Sequence, residues 1–224
     1  KACYETDIQP TIIAIMDKSF CDLRVLGDFE TSDEYLHNWY NINDYILRGN
    51  LYVSTYAGGT ANTEFEFLTG NSMGNLPAGI VPYQIYNLKD TGNMTDILNR
   101  NGYKTTAIHP EYKGNWTRTR VYENFGFDTF LSIDNFESPE RIHESVSDRA
   151  SFDKVIEVFE SSDCPQFIFN VTMQNHGGYN IKKMAGVELV ELKEAWRGFS
   201  DVETYLTLIR ESDKAIEGLL EYFR

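Results

Sequence analysis

The chain has 224 residues and a net charge of −14, with 20 lysine and arginine residues against 34 aspartate and glutamate residues. Hydrophobic residues make up 42% of the chain and charged residues 24%, which excludes a disordered or collagen-like protein. An acid excess of this size repels phosphate backbones, so we expect no nucleic acid partner. No run of about 18 apolar residues is present, and the sequence therefore predicts no membrane-spanning helix.

The predicted elements alternate between strands and helices along the chain. Strands are predicted over residues 10–16, 51–55, 104–108, 129–133 and 166–173, which are short runs rich in apolar and β-branched residues. Helices are predicted over part of 33–47 and over 93–101, 118–125, 146–161 and 202–223. A further helix is predicted to begin just after Gly58 and Gly59, where Thr63 and Glu66 have the spacing of a capping box.

This alternation predicts the fold class, a three-layer α/β/α sandwich around a mostly parallel sheet. The sequence shows neither an internal repeat nor a linker, so residues 1–224 are expected to form a single domain. The last predicted helix is followed by no strand, and we therefore expect the fold to lack its C-terminal part.

Polar side chains follow the predicted strands at the edge where parallel sheets bind their ligands. Asp17 and Lys18 follow the first strand, and His109 and His176 follow two later strands. Thr60 follows the double glycine at a helix N-terminus, whose positive end favours an ionised hydroxyl or a bound phosphate. Thr60 is therefore either a nucleophile or a residue that only caps the turn.

The other candidates also have two interpretations each. His109 and His176 could bind an anion or transfer a proton, or they could only hydrogen-bond the backbone. Arg118 could hold a phosphate through parallel hydrogen bonds, or it could be a solvated surface charge. Trp116 could be a platform for a sugar, or it could be a core or lid residue. Together these residues predict a cleft that handles phosphate.

The segment GGTANTEFEFLTG, residues 58–70, resembles the nucleophile segment of the lipoteichoic acid synthase family, a sulfatase-like branch of the alkaline phosphatase superfamily. Further matches, in the family's order, lie at residues 13–23, 81–84, 107–110, 116–118, 121–127 and 172–177. The resemblance implies a fragment of the catalytic domain of a membrane-anchored enzyme. That domain would face outward from a bacterial cell membrane, with membrane contact only through segments outside this chain.

The resemblance also implies a reaction. Such enzymes transfer glycerol phosphate from phosphatidylglycerol to a cell-envelope polymer through a phospho-threonine. By residue matching, Thr60 is expected to be the nucleophile and a ligand of Mn²⁺ or Mg²⁺. His109, Trp116, Arg118 and His176 are expected to line the glycerol phosphate pocket.

Two departures from the family pattern concern the metal. Lys18 stands where the family has a glutamate ligand, and an ammonium group cannot ligate a cation. Asp17 is the neighbouring carboxylate, but the alternation along a strand aims it at the other side. The family's Asp-His metal pair, which follows a further strand, has no match in this sequence. We therefore expect an incomplete metal site.

Three hypotheses follow for the activity. The first is a phosphoglycerol transferase. The second is a degenerate member that binds a phospholipid headgroup or polymer without turnover. The third is a metal-dependent sulfatase or phosphodiesterase, which would pass the covalent intermediate to water.

Overall fold

A computed structural model describes residues 9–55, 58–180, 184, 186–193 and 196–224 of the chain. The chain divides into two compact units. The first unit comprises Lys1–Met16, Leu51–Asn135 and Val155–Asn170, and the second comprises Asp17–Asn50, Phe136–Lys154 and Val171–Arg224. The expectation that residues 1–224 form a single domain stays a prediction.

Within the described residues, strands and helices follow one another in nearly the predicted order. The strands are β1 (Ile12–Met16), β2 (Lys104–Ile108), β3 (Thr129–Leu131), β4 (Arg141–Ile142), β5 (Ser145–Val146) and β6 (Gln166–Val171). The helices are α1 (His37–Asn41), α2 (Thr60–Thr69), α3 (Pro82–Ile85), α4 (Met94–Arg100), α5 (Arg118–Asn124), α6 (Asp148–Glu160) and α7 (Ser200–Phe223). Short 3₁₀ helices cover Leu23–Leu26, Met73–Asn75, Asn115–Thr117 and Ile133–Asn135.

A four-stranded sheet with the strand order β1-β6-β2-β3 forms the centre of the first unit. Strand β2 is parallel to both β3 and β6, and Ala107 lies opposite Phe130 on one side and Phe169 on the other. All residues of β6 are buried, as expected for a strand covered on both faces. The predicted α/β fold with a mostly parallel sheet is confirmed.

Aromatic rings fix α2 and α5 to this sheet. Phe67 of α2 stacks on Phe169 of β6 with ring centroids 5.5 Å apart. Tyr122 of α5 meets Phe130 of β3 edge to face at 4.9 Å, and meets Phe127 in the same way at 5.2 Å. Such pairs add to the burial of large apolar surfaces. The two helices that carry Thr60 and Arg118 are thus held by the same sheet.

One of the predicted elements before α2 differs from the structure. Residues 51–55 do not form a strand, and the side chains of Leu51 and Tyr52 are 85% and 88% exposed. This segment is apolar enough to suggest regular structure, but an apolar run becomes a strand only where a neighbouring strand pairs with it. The stretch 33–47, predicted to be partly helical, contains helix α1.

The next helix begins directly after the glycine turn, as predicted, but the predicted capping box does not start it. Helix α2 begins at Thr60, so Thr63 and Glu66 lie inside the helix and do not form a capping box. Gly59 precedes the helix in the left-handed conformation, with φ 76°. Glycine adopts this conformation without steric cost, which allows the helix to begin directly at Thr60.

The second unit is built around α7. A buried apolar cluster joins this helix to the preceding segments and consists of Tyr35, Leu36, Val190, Leu192, Tyr205, Leu206 and Ile209. Asp213 of α7 accepts hydrogen bonds from the backbone N–H groups of Asn38 and Trp39, at 2.9 and 2.7 Å, and so holds the start of α1. The sequence did not predict the antiparallel pair β4 and β5, because strands of two residues carry no periodicity.

No helix in the described part of the chain is long and apolar enough to cross a membrane.

Candidate functional site

Thr60 is the first residue of α2 and is half-buried. The first N–H groups of a helix lack partners within the helix, and the helix dipole makes this end positive. A phosphoryl group beside the Thr60 hydroxyl would therefore meet backbone donors as well as a nucleophile. The predicted position of Thr60 at a helix N-terminus after a glycine turn agrees with the structure, while its role as nucleophile stays a prediction.

Arg118, at the start of α5, forms a buried ion pair with Glu64 of α2. The Nε atom of Arg118 donates to Glu64 Oε1 and Oε2 at 3.2 and 3.1 Å, and its Nη2 atom donates to Oε1 at 2.5 Å. Arg118 is 2% exposed and Glu64 is fully buried. Tyr122 donates its hydroxyl to Glu64 Oε2 at 2.7 Å. The alternative that Arg118 is a solvated surface charge is therefore wrong.

The ionisation of this cluster follows from its burial and its opposite charges. Burial by itself would raise the pKa of Glu64, but the Arg118 charge and hydrogen bonds outweigh it and hold that pKa below its usual value. The same pairing raises the pKa of Arg118 despite desolvation. Burial and the Glu64 charge raise the pKa of Tyr122 well above the ordinary range, so Tyr122 remains a donor. Glu64 therefore remains a carboxylate and Arg118 remains a guanidinium.

His109 and Trp116 lie on the same unit as Arg118. His109 follows β2, is 2% exposed and donates its backbone N–H to the Leu131 carbonyl at 2.9 Å. An electrostatic interaction with His109 also lowers the pKa of Glu64, so the two side chains interact. Trp116 is half-buried within the 3₁₀ helix Asn115–Thr117.

The backbone immediately before Arg118 is strained. Trp116 and Thr117 have φ values of 55° and 57°, a left-handed conformation that costs a residue with a Cβ atom about 1–3 kcal/mol. A hydrogen bond from the Thr117 hydroxyl to the Tyr83 carbonyl, at 2.8 Å, supports this bend. The bend determines the directions in which Trp116 and Arg118 leave the backbone, and strain of this kind is concentrated at binding sites.

Glu64 is the residue that the sequence predictions missed. It lies four residues after Thr60 on α2, between the buried residues Ala61 and Phe65. A charged side chain on the apolar face of a helix requires a buried partner, and this could have identified Glu64 as a candidate. The identity of the partner was not visible, because Arg118 lies 54 positions further along the chain.

The second unit contains Asp17, Lys18 and His176. Asp17 Oδ1 accepts hydrogen bonds from Thr172 Oγ1 and Asn175 Nδ2, both at 3.2 Å. The backbone N–H of Lys18 donates to the same Thr172 Oγ1 at 3.1 Å, and Lys18 Nζ lies 3.6 Å from the sulfur of Met173. Asp17 is thus part of a polar network, and the expectation that it faces away from the metal position stays a prediction.

That network also contains Asp148, the first residue of α6. Ser212 donates its hydroxyl to Asp148 and accepts a hydrogen bond from Asn175 Nδ2 at 2.8 Å. Burial raises the pKa of Asp148 to about 6, against hydrogen bonds that lower it. Burial and the Asp148 charge raise the pKa of Asp17 well above its ordinary value. Both carboxyl groups therefore keep their protons to a higher pH than an exposed aspartate does.

His176 lies on an exposed turn, and its Nδ1 atom is 3.2 Å from the carbonyl of Gly177. This is the geometry of the alternative in which a loop histidine bonds only the backbone. The predicted role of His176 in a glycerol phosphate pocket stays a prediction, as do the pocket roles of His109, Trp116 and Arg118.

The described residues show no complete site for a divalent metal ion. They contain no group of three histidine, cysteine, aspartate or glutamate side chains that could ligate one. Lys18 occupies the position expected for a carboxylate, and Oδ1 of the adjacent Asp17 accepts hydrogen bonds from Thr172 and Asn175. The expected role of Thr60 as a ligand of Mn²⁺ or Mg²⁺ stays a prediction.

A hydroxyl at a helix N-terminus and a guanidinium held by the same helix, on a parallel α/β sheet, are donors suited to a phosphate or sulfate ester. The sequence model of the sulfatase family, described as Sulfatase, matches residues 22–224. The chain belongs to the sulfatase family.

Curated proteins from two bacteria are similar to this chain in sequence. A Rhizobium meliloti protein, provisionally named for cyclic β-1,2-glucan modification, is 31% identical over 217 residues, which are 96% of this chain and 33% of that protein. Lipoteichoic acid synthase 1 of Bacillus subtilis is 26% identical over 171 residues, covering 75% of this chain and 26% of the relative. The chain thus spans about a third or less of these relatives. The resemblance to lipoteichoic acid synthases is confirmed.

A solved structure gives the same fold. The Streptococcus pyogenes phosphoglycerol transferase GacH, in complex with sn-glycerol-1-phosphate, superimposes with a TM-score of 0.84 at 24% identity. The superposition covers 96% of this chain and 57% of that one. At this level of identity the match establishes a shared fold.

Proposed function

We propose that this chain is a domain that transfers glycerol phosphate from phosphatidylglycerol to a cell-envelope polymer through a phospho-threonine at Thr60. The observation that carries the proposal is the placement of Thr60 at the N-terminus of α2, one helical turn from the carboxylate that binds Arg118. The lipoteichoic acid synthase relative and the phosphoglycerol transferase fold support the substrate class.

Thr60 acts as the nucleophile, and the other site residues bind the phosphoryl group and the glycerol. Thr60 Oγ forms a bond to phosphorus while the bond from phosphorus to the diacylglycerol oxygen breaks, and the hydroxyl proton ends on diacylglycerol. An acceptor hydroxyl then displaces Thr60 and returns a proton to it. Arg118, His109 and the first N–H groups of α2 stabilise the charge on the phosphoryl oxygens. Trp116 contacts the glycerol part.

The location of the domain is part of the same proposal. The lipid substrate places it at the extracellular face of a bacterial cell membrane, reached through segments outside this chain. The net charge of −14 disfavours nucleic acid and also opposes anionic lipid, so the phosphate must be attracted locally by Arg118 and the helix end.

A second candidate function is binding of the phospholipid headgroup or polymer without turnover. Lys18 favours it, because an ammonium group at the position of a metal-binding carboxylate can attract phosphate but cannot activate a hydroxyl. Both candidates place the glycerol phosphate group at Arg118, and they differ in whether Thr60 reacts.

Fluorescent phosphatidylglycerol distinguishes the candidates. We expect the chain to release diacylglycerol, and the variant Thr60→Ala to release none. The control is Thr63→Ala, the same substitution one turn further along α2, which should retain release. Headgroup binding without release would favour the second candidate. Release of free glycerol phosphate in place of polymer growth would indicate a hydrolase.

A further inference from the structure

We propose that Glu64 is the positioning residue that presents Arg118 to the phosphoryl group; this inference rests on the proposed function. Glu64 does not itself contact the substrate. It holds the Arg118 side chain so that the same nitrogen always faces the ligand.

The contacts show which part of the guanidinium Glu64 occupies. Its two carboxylate oxygens accept from Nε and Nη2 of Arg118, at distances of 2.5 to 3.2 Å. The Nη1 atom instead lies 3.4 Å from the Asn115 carbonyl, longer than an ordinary N–H···O hydrogen bond. The edge that carries Nη1 is therefore the one able to exchange its weak contact for a phosphoryl oxygen.

The helix supplies the geometric link between this guanidinium and Thr60. Residues four positions apart lie on the same face of a helix, so Glu64 follows Thr60 on one face of α2. The ion pair consequently fixes Arg118 in the frame of the helix that carries the nucleophile. Movement of α5 relative to α2 would have to strain or break this ion pair.

Because the ion pair is buried, we infer that it fixes the position of Arg118 and adds little to the stability of the fold. Both side chains are almost completely removed from water, and a buried ion pair is on average no more stabilising than apolar residues of the same size. Tyr122 supplies a further hydrogen bond to Glu64 at 2.7 Å, which restricts the carboxylate to a single orientation. A carboxylate fixed at both oxygens is a suitable support for a guanidinium.

The test combines ligand binding with a direct observation of Arg118. Titration calorimetry with sn-glycerol 1-phosphate would be carried out on the chain and on Glu64→Gln. The Nε–H signal of Arg118 in ¹⁵N-labelled protein would report whether the guanidinium is still held. The matched control is Glu66→Gln, the same change on α2 at a carboxylate that binds Ser54 and the Met73 N–H. Thermal unfolding would confirm that each variant folds.

We expect Glu64→Gln to weaken binding at least tenfold and to move or broaden the Arg118 Nε–H signal, while Glu66→Gln changes neither. Unchanged affinity with lower stability would overturn the inference, because the pair would then be only structural. Tighter binding would overturn it too, since Glu64 would then merely neutralise Arg118. If Glu64→Gln does not fold, Tyr122→Phe replaces it: a two- to fivefold loss supports positioning, and unchanged affinity contradicts it.

Inorganic phosphate separates the inference from the proposed function. If the chain binds phosphate but not sn-glycerol 1-phosphate, the proposed substrate is wrong, and the same variants test the positioning role with phosphate as the probe. If the chain binds neither anion, the proposed function and the inference both fail.

Discussion

Buried carboxylates have opposite ionisation preferences in the two units. Glu64 is paired with Arg118, and its pKa lies below the usual value despite desolvation. Asp148 is surrounded by hydroxyl and amide groups, including Ser212, and burial raises its pKa to about 6. The difference follows from a formal positive charge, which compensates desolvation far better than dipoles do.

The raised pKa of Asp148 makes stability depend on pH. Its folded-state pKa of about 6 exceeds the ordinary aspartate pKa of 3.8, so the folded state binds more protons between these values. The contribution of Asp148 to the free energy of unfolding therefore falls as the pH rises from about 4 to 6. We expect Asp148→Asn to be more stable than the parent by about 1–2 kcal/mol at pH 7, and the advantage to disappear near pH 4.

Urea unfolding of both proteins between pH 4 and 7 measures this difference. Asp153→Asn is the control, because Asp153 lies exposed on the same helix α6. A stability difference between Asp148→Asn and the parent that does not vary with pH would show that Asp148 ionises at the same pH in the folded and unfolded chains.

The positive charge of Lys18 is expected to weaken the binding of a divalent metal ion. We expect the chain to bind Mn²⁺ weakly and Lys18→Glu to bind it at least tenfold more tightly, because the change removes a repelling charge and adds an oxygen ligand. Titration calorimetry with Mn²⁺ alone measures this. Lys104→Glu, with the same change of charge at the exposed start of β2, controls for general attraction. Tight stoichiometric binding by the unaltered chain would refute the incomplete metal site.

The residue-level predictions depended on local signals. Thr60 was predictable because a double glycine and a helix start are adjacent in the sequence. The pairing of Arg118 with Glu64 was not, because a contact between positions 54 apart leaves no mark in one sequence. The exposure of His176 and the burial of His109 were equally invisible, since both residues follow predicted strands in the same way.

Among the elements, α2 is the one on which the candidate site depends. Its start requires Gly59, with φ 76°, and a Cβ atom there would lie 2.7 Å from Cγ2 of Thr55. We expect Gly59→Ala to destabilise the chain by about 2–4 kcal/mol, from the left-handed backbone and the overlap together. Urea unfolding measures the loss.

Two further variants separate these causes. Gly70→Ala, at the other end of α2, has φ 68° and nothing within 4 Å of the added Cβ atom, so a loss of only about 1 kcal/mol is expected. Thr55→Ser removes the overlapping Cγ2 atom and should recover part of the stability of Gly59→Ala. Equal losses for the two glycine variants would contradict the steric account.

Long or strongly signalled elements were predictable. Strand β2 has the predicted bounds, and α4 ends as predicted before Gly102, whose φ is 83°. Residues 51–55 were misjudged because pairing with a neighbouring strand, and not composition, decides whether an apolar run becomes a strand. The pair β4 and β5 was missed because its strands are too short to show a pattern.

For the whole molecule, the sulfatase family match over residues 22–224 agrees with the order of motifs along the sequence. The fold was predictable because alternating strands and helices allow few arrangements. The chemistry is less constrained, since members of one fold differ in the few residues that contact the ligand. Lys18 stands where the resemblance implies a metal-binding carboxylate, so whether Thr60 reacts is the central question.

The most direct measurement is peptide mapping by mass spectrometry after brief incubation with phosphatidylglycerol that carries isotope-labelled glycerol. The proposed mechanism predicts a labelled glycerophosphoryl ester on the peptide that contains Thr60, and no such label in Thr60→Ala. Absence of the label from Thr60, or an equal amount of label in Thr60→Ala, would contradict it.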